Sequence, residues 1–403
     1  MIAPTLIRFF YLLLAGQLAG CFLPEKLHAQ INRTNTVSFE VVQTAGSPSV
    51  KPYRFSRYEL APEINWTADW IWLDPIKFPQ YQRTKTTWLG PEQKNPPYRV
   101  FFRKEWSYKP GDEPVYLYCT ADVRFRLSVN GRIAAEGPVN TGGDYDDRKA
   151  PDYWYYSIYD ISSLLKPGKN SIAVEVMSWA LEWSEITRTY GGFLAEIKAG
   201  SQTLLKSDTS WKAIPDTSLN RVDDWLIWQA DKEIPGWQTQ ASAALNWPAA
   251  AIQTGAPATK LFRSGIPELM QATIQPLELV QEKTVESGEY LLDFSRNRVA
   301  RIQCSFTANK GDTIEIVPFE KMGYTASPSR AIRLIAKEGK NNFRSLNLAA
   351  FRYLRVRIAA SAKITLHSLN AVFTTYPVSY QGSFSCSDPF YTQLWSIARY
   401  TTQ

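Results

Sequence analysis

Short stretches in which apolar and polar residues alternate make up most of the chain after residue 98. In the stretch 124–129, Arg-Phe-Arg-Leu-Ser-Val, every second side chain is apolar, as in a strand with one buried face. Asn130-Gly131 follows directly, and this residue pair favours a type I′ hairpin turn. Similar stretches recur at close spacing between turn residues, without helical periods between them. The pattern predicts a mostly β fold with two jelly-roll-like β-sandwich domains in tandem.

Changes in composition divide this pattern into segments. Residues 30–63 are polar and are predicted to form an extended lead-in, and residues 64–240 are predicted to form the first sandwich. The Ala-, Pro- and Gln-rich residues 241–262 predict a linker, and residues 263–385 predict the second sandwich. Within the first of these units, residues 223–230 are compatible with a short helix.

The last segment, residues 386–403, changes to a helical period and is predicted to begin a further domain. Asp388 suits the N-cap of a helix, and Pro389 suits its first position. The apolar positions that follow lie on one stripe: Phe390, Leu394 and Ile397. Because so short an amphipathic helix is marginal alone, we expect it to be the first helix of a helical domain that is missing here. In this chain we expect it to fray or to fold back on the second sandwich.

The N-terminus predicts export. Arg8 precedes the apolar run 9–19, which is too short for a stable membrane anchor, so residues 1–29 are interpreted as a signal peptide. Leu27-His-Ala-Gln30 resembles a signal-peptidase site, which we favour slightly. Leu18-Ala-Gly-Cys21 resembles a lipoprotein box, in which Cys21 would be lipidated. We therefore expect a periplasmic, extracellular or outer-membrane protein that reaches the membrane only through such a lipid.

Charge and cysteine content narrow the classes of partner. The net charge is +7 and the pI is about 9.0, but basic residues such as those in 352–358 alternate with apolar ones. This pattern places them on the solvated face of a strand, so no nucleic-acid partner is predicted. Three cysteines remain after the signal region, and their odd number and wide spacing predict buried free thiols: Cys119, Cys304 and Cys386.

Scarcity of histidine excludes several chemistries. The chain has two histidines, His28 and His367, and His28 lies in the predicted signal region. Nucleophile–histidine pairs and His/Cys zinc sites are therefore not predicted, and no phosphate-binding glycine loop is present. No catalytic residue and no metal ligand is assigned. Carboxylate pairs stay open, although solvated loop acids are the favoured interpretation of three clusters: Asp144, Asp146, Asp147 and Asp152; Glu182 and Glu185; Asp223, Asp224, Asp231 and Glu233.

Calcium is the only cofactor that the residues suggest. The stretch 142–147, Gly-Gly-Asp-Tyr-Asp-Asp, offers oxygen ligands that suit this ion. The same residues also occur in turns, where Asp binds its own backbone. We favour the turn and predict no cofactor.

Aromatic residues beside the loops of the first sandwich are the remaining candidates for binding. Sugar rings stack on exposed Trp and Tyr faces, whereas most buried aromatics serve packing. Packing is the favoured role for any single one of these residues. The sugar-binding candidates are Trp154, Trp179, Trp183 and Tyr190.

Several short motifs occur in an order that resembles bacterial α-L-rhamnosidases of glycoside hydrolase family 78. Those similar to the family's N-terminal β-sandwich are Trp70-Ile-Trp72, residues 124–131 with Gly137-Pro138, Leu165-Lys-Pro-Gly-Lys-Asn170 and Gly192-Phe-Leu194. Those similar to its next β-domain are Leu292-Asp-Phe-Ser-Arg296 and Phe351-Arg-Tyr-Leu-Arg-Val356. Those similar to the passage into the catalytic (α/α)₆ barrel are Ser387-Asp-Pro389 and Leu394-Trp395.

This resemblance covers roughly residues 66–403, and it implies a function for a longer protein. In the family the catalytic carboxylates lie in the barrel, so no residue of this chain inherits a catalytic role. The resemblance implies the ancillary, carbohydrate-binding or structural portion of an exported hydrolase that removes terminal α-L-rhamnose. Its partners would be rhamnose-containing glycans and the missing catalytic domain, and the chain alone would be inactive. The alternative is a stand-alone surface carbohydrate-binding or adhesion module.

Overall fold

The computed structural model describes most of the chain after residue 63. The described residues are Ser38–Phe39, 64–82, 98–122, 124–137, 153–178, 191–222, 225–239, 246–254, 260–265, 269–280, 288–322, 331–359, 362–378 and 380–402. Within these residues nearly all regular structure is β-strand, and the one α-helix is the last element. The mostly β fold predicted from the alternating pattern is confirmed. None of the helices in the described part is long and apolar enough to cross a membrane.

The strands are numbered in the order in which they occur along the chain. The strands are β1 (Ser38–Phe39), β2 (Ile71–Trp72), β3 (Tyr98–Tyr108), β4 (Val115–Asp122), β5 (Arg124–Val129), β6 (Arg132–Gly137), β7 (Tyr153–Asp160), β8 (Gly168–Ser178), β9 (Gly192–Ala199), β10 (Gln202–Lys206), β11 (Lys212–Pro215), β12 (Leu219–Val222), β13 (Trp225–Gln229), β14 (Ala251–Ile252), β15 (Lys260–Arg263), β16 (Met270–Ile274), β17 (Glu278–Val280), β18 (Glu289–Ala308), β19 (Thr313–Phe319), β20 (Ile332–Ile335), β21 (Gly339–Arg344), β22 (Ala349–Ile358) and β23 (Thr365–Thr375). The helix is α1 (Pro389–Thr401).

The first sandwich packs a seven-stranded sheet on a five-stranded sheet. The first sheet has the order β14-β2-β9-β4-β7-β15, with β10 beside β9, and the second has the order β11-β3-β8-β5-β6. Large aromatic rings fill the space between them: the Phe102 ring lies 5.9 Å from that of Trp72 and 5.8 Å from that of Phe193. At the predicted hairpin between β5 and β6, Asn130 and Gly131 both have positive φ, as a type I′ turn requires.

The second sandwich is one eleven-stranded sheet folded around a single core. Strand β18 is 20 residues long, and it connects the two layers. Its first half pairs with β22 and its second half with β23 and β21. The side chains that the layers enclose include Phe294, Ile302, Phe306, Ile316 and Phe351. The register of β18 against β22 shifts between Asp293 and Arg298, where the strand bends from one layer to the other.

Two segments form strand pairs with a different domain from the one predicted for them. The helix expected at residues 223–230 is wrong, because Trp225–Gln229 is strand β13 and pairs in parallel with β20. Trp228 packs at 5.4 Å from Phe343, a contact that sequence neighbours cannot reveal. In the predicted linker, β14 pairs with β2 and β15 with β7, both in the first sandwich. The domain boundaries given above stay a prediction.

The cysteines of the described residues are Cys119, Cys304 and Cys386, and no disulfide joins them. Cys119 and Cys304 are buried, whereas the expectation of burial is wrong for Cys386, which is exposed. Burial raises the pKa of the Cys304 thiol, so this side chain is a neutral part of the second core.

Replacement of Gly191 by alanine is expected to destabilise the first sandwich. Gly191 has a φ of +78°, and a β-carbon at this position would overlap the indole ring of Trp72, which is buried. We expect the free energy of unfolding in urea to fall by about 2 kcal/mol or more, from backbone strain and overpacking.

The matched control for this experiment is Gly111→Ala. A β-carbon at Gly111 has no neighbour within 4 Å. The free energy of unfolding of this variant should stay within about 0.5 kcal/mol of the unchanged chain. Equal unfolding curves for the two variants would contradict the packing described for Trp72.

Candidate functional site

Trp154 is buried and packs against other side chains of the first sandwich. It is 1% exposed, and its indole N–H donates to the carbonyl of Ala121 at 3.0 Å. It forms a cluster with Trp70 and Leu194, because residues 64–70 cover the outer face of the seven-stranded sheet. Neither ring face is therefore offered to a sugar in this conformation.

The other residues predicted to bind sugar, lipid or calcium lie outside the described residues. These are Trp179, Trp183, Tyr190, Cys21 and the calcium candidate at 142–147. The sugar-binding, lipidation and calcium hypotheses thus stay predictions. Among the residues that are described, no group of three or more His, Cys, Asp and Glu side chains is arranged to hold a metal ion.

The end of the described chain forms the helix that the sequence predicts. Asp388 has an extended backbone, and its carboxylate accepts a hydrogen bond from the Phe390 N–H at 2.9 Å. Pro389 follows at the first helical position, where its missing N–H leaves no hydrogen bond unmade. The predicted N-cap is therefore confirmed.

The apolar stripe of α1 faces solvent. Phe390 is 60% exposed, Leu394 48% and Ile397 56%. None of the thirteen residues of the helix is buried. The expectation that this stripe folds back on the second sandwich is therefore wrong, since its apolar side remains open, and fraying of the helix stays a prediction. We call the exposed stripe of Phe390, Leu394 and Ile397 the open helix face.

A small set of contacts at the last turn holds α1 to the second sandwich. The Tyr400 hydroxyl donates to the carbonyl of Asn297 at 2.7 Å. The Arg296 guanidinium lies 4.9 Å from the centre of the Tyr400 ring, within the range of a cation–π contact. Arg399 makes a similar contact with Tyr380 at 4.2 Å. The helix is thus attached at its last turn, while Phe390, Leu394 and Ile397 stay exposed.

The bend in β18 creates the attachment point. Ser295 has a φ of 71°, and its N–H donates to the Asp293 carboxylate at 2.7 Å. Arg352 also binds both oxygens of Asp293, at 2.9 and 2.7 Å. This hydrogen bond from Arg352 is the main reason why the pKa of Asp293 is lowered. The carboxylate therefore fixes the bend that presents Arg296 and the Asn297 carbonyl to α1.

A row of side chains on the outer face of the five-stranded sheet meets the second sandwich. Strand register places Glu175, Arg126 and Glu136 side by side on β8, β5 and β6. Their sequence neighbours pack between the two sheets of the first sandwich, so this row points the other way. Met177 from the same sheet is part of the apolar core of the second sandwich. Charged groups thus lie inside the contact between the two sandwiches.

Glu136 is the centre of this contact. Its Oε1 accepts from Arg126 Nε at 2.7 Å and from Arg344 Nη2 at 3.2 Å. Its Oε2 accepts from Gln271 Nε2 at 2.7 Å and lies 3.5 Å from Arg301 Nη1. Burial alone would raise the pKa of Glu136, but Arg126, Arg301 and Arg344 outweigh it and lower the pKa to about 2. One carboxylate from the first sandwich therefore binds two arginines and a glutamine from the second.

A second set of ion pairs lies next to Glu136. Arg99 donates to Glu175 and to Asp216, each at 2.9 Å. Asp216 directly follows β11 and comes three residues before β12, the strand through which the chain enters the eleven-stranded sheet. Burial opposes the charge on Glu175, yet Arg99 and Arg126 lower the pKa of this carboxyl below its usual range. The sequence offered no signal for these roles, because charged residues on alternating strands are usually solvated.

Comparison with known proteins relates the chain to α-L-rhamnosidases. No protein-family model matches it. It is 20% identical over 380 residues to an α-L-rhamnosidase of Formosa agariphila, covering 85% of this chain and 39% of that protein. It is 24% identical over 365 residues to a second one from the same organism, covering 82% of this chain and 37% of that protein. The chain thus spans less than two fifths of the length of these curated relatives.

Solved structures show the same relationship at the level of the fold. The glycoside hydrolase family 78 rhamnosidase of Bacillus sp. GL1 has a TM-score of 0.69 and 17% identity, covering 84% of this chain and 58% of that chain. The α-L-rhamnosidase of Dictyoglumus thermophilum has a TM-score of 0.63 and 20% identity, covering 82% of this chain and 38% of that chain. The resemblance that the ordered motifs predict is therefore confirmed.

Replacement of Tyr400 by phenylalanine is expected to release the helix end. The variant keeps the ring over Arg296 but loses the hydrogen bond to the Asn297 carbonyl, which contributes about 1 kcal/mol. We expect faster amide hydrogen exchange in α1 and an unchanged exchange rate in β18. Tyr391→Phe, which alters a half-exposed tyrosine of the same helix, is the control. Equal exchange in both variants would contradict the attachment.

Replacement of Glu136 by glutamine is expected to weaken the contact between the sandwiches. It leaves two buried arginines, Arg126 and Arg301, and the partly exposed Arg344 without their shared carboxylate, and we expect a loss of about 3 kcal/mol in unfolding free energy. The control is Glu113→Gln, at an exposed position. A loss no larger than that of the control would contradict the account.

The same carboxylate predicts a dependence of stability on pH. The pKa of Glu136 is lowered from 4.5 to about 2 in the folded protein. Its contribution is therefore present above pH 4.5 and is lost as the pH falls toward 2. Urea unfolding between these limits should show a smaller decline in Glu136→Gln than in the unchanged chain. An equal decline would contradict the role of this group.

Proposed function

We propose that this chain is the ancillary portion of an exported α-L-rhamnosidase-like glycoside hydrolase, and that α1 joins it to a helical catalytic domain. The observation that carries the proposal is the open helix face. Full burial of each large apolar side chain is worth about 1.5–3 kcal/mol, so exposure of three in one stripe favours an occupant. The sequence similarity to α-L-rhamnosidases supplies the class of protein in which to look for it.

The occupant that we propose is the set of helices that follow α1 in an (α/α)₆ barrel, of which α1 is the first helix. The chain covers 39% and 37% of its two curated relatives, so most of their length lies outside the similarity. The stripe of Phe390, Leu394 and Ile397 has the i, i+4, i+7 spacing with which a helix packs on another helix. The contacts at Tyr400 and Tyr380 support this role, because they hold the helix end while leaving the stripe open.

The proposed reaction of the complete hydrolase is removal of terminal α-L-rhamnose from plant or microbial glycans. Such a reaction uses two carboxylates on either side of the sugar bond, one as acid and one as the base that activates water, with inversion when they stand far apart. We assign neither carboxylate to this chain. Its proposed contribution is to hold the barrel and to contact rhamnose-containing glycans. Export through residues 1–29 belongs to the same proposal.

The alternative function is a stand-alone surface carbohydrate-binding or adhesion module. One observation favours it: α1 is formed, and its last turn contacts the second sandwich. On this alternative, the open helix face would contact a protein or cell surface, and glycan binding would be the whole activity.

Hydrolysis of an aryl α-L-rhamnoside separates the two functions. We expect purified residues 30–403 to give no hydrolysis above buffer, and the longest product of the gene to hydrolyse the substrate. In that product, Leu394→Asp with Ile397→Asp should abolish activity by preventing helix packing, whereas Thr392→Asp on the same helix should retain it. Hydrolysis by residues 30–403 alone would contradict the proposal. An inactive longest product that binds rhamnose-containing glycans would favour the module.

A further inference from the structure

Positive charge exceeds negative charge in the contact between the two sandwiches. Arg126, Arg301 and Arg344 all lie within 3.5 Å of the single carboxylate of Glu136. The two oxygens of this group already have four partners when Gln271 is included, which is as many as a carboxylate accepts. Arg126 also approaches Glu175 at 3.5 Å, and Arg99 is shared between Glu175 and Asp216. Four arginines thus face three carboxylates, which leaves one positive charge that no carboxylate of this network neutralises.

The wall contributed by the second sandwich is a continuous polar row. Strand register places Asn370, Gln303 and Arg344 side by side on β23, β18 and β21. Arg301 stands two residues before Gln303 and therefore on the same side of β18. The intervening residues Ile302 and Cys304 point into the core. The row faces the first sandwich, because Arg301 and Arg344 both contact Glu136.

Several buried donors in this wall have no hydrogen bond. Asn370 is 1% exposed, and neither atom of its amide has a partner. Arg344 Nε lacks a partner as well, and Arg301 Nη1 has only the 3.5 Å approach to Glu136. An unsatisfied buried donor costs about 1–3 kcal/mol, so such groups normally bind something.

The excess positive charge favours an anion over a water molecule as the partner of these unsatisfied donors. Water can satisfy both the amide donor and the amide acceptor of Asn370, but it cannot offset the excess of guanidinium groups. Burial, followed by the charges of Arg126, Arg344 and Arg124, lowers the pKa of Arg301 to about 10 despite Glu136. Solvent reaches the site beside Arg344, whose side chain is 23% exposed, and beside Gln271, which is exposed.

We propose that Arg301, Arg344 and Asn370 form a binding site for an oxyanion at the contact between the two sandwiches. The ligand is a sulfate or carboxylate group, either as a free ion or as a substituent of an acidic sugar. Planar guanidinium groups bind such groups through paired, charge-assisted hydrogen bonds, and the Asn370 N–H adds a neutral donor. The bound anion would join the sandwiches, since Glu136 of the first sandwich lies against the same arginines. This site is independent of the function proposed above.

Thermal unfolding in matched salts tests the proposal. The melting temperature of purified residues 30–403 is measured against sodium sulfate and sodium glucuronate, with sodium chloride at equal ionic strength as the reference. We expect a saturable rise in sulfate, in glucuronate or in both, beyond that in chloride. A response to sulfate alone identifies the free ion, and a response to glucuronate alone identifies a charged sugar. No response beyond chloride overturns the proposal.

Two variants and a control locate the response. Arg344→Gln should weaken the apparent affinity by about tenfold, the loss of about 1.4 kcal/mol that one charge-assisted hydrogen bond supplies. Asn370→Asp should raise the melting temperature in chloride and remove the anion response, because the new carboxylate takes the anion's place. Arg333→Gln, on another face of the second sandwich and paired with Glu315, should leave the response unchanged. A destabilised Asn370→Asp that keeps the response would overturn the assignment.

Discussion

Glu136 lies where guanidinium groups from both sandwiches converge, and its charge constrains how the two sandwiches can pack. A buried ion pair contributes little net stability compared with apolar packing, but removing one partner is costly. Arg301 and Arg344 of the second sandwich therefore need Glu136 nearby, and Arg126 beside it needs both Glu136 and Glu175. A shift of one sandwich across the other by one residue would leave these charges buried and unpaired. Charge complementarity thus sets how the two sandwiches are aligned, while apolar side chains such as Met177 contribute buried apolar surface to the contact.

Local features of the fold could be predicted from the sequence. The period of apolar residues located strands such as β5, Asn130-Gly131 located the hairpin, and Asp388-Pro389 located the start of α1. These signals are local because strand alternation, turn geometry and capping each depend on a few adjacent residues. The arginines of 352–358 also behave as predicted, since Arg357 is largely exposed and pairs with Glu289 at the surface.

Long-range features could not be predicted in the same way. Residues 225–229 resembled a short helix; of their two strand partners, β12 comes just before them, but β20 lies about a hundred residues further along the chain. Arg301 and Arg344 follow the same alternating pattern as Arg357, yet they are enclosed by the first sandwich. The alternation of apolar and polar residues identifies which side of a strand is polar, but it does not show whether another domain covers that side. Trp154 shows the converse, since residues 64–70 bury a ring that the sequence placed beside a loop.

The contact between the sandwiches and the attachment of α1 act on the same element, strand β18. Arg301 binds at its second half, and the bend that holds Tyr400 lies in its first half. The most direct test of the central role of Glu136 is a double-mutant cycle with Arg301, using Glu136→Gln, Arg301→Gln and the double variant in urea unfolding. The account predicts a coupling free energy of about 2 kcal/mol, within the range for contacting residues in one ion-pair network. Additive effects, with a coupling below about 0.3 kcal/mol, would contradict it.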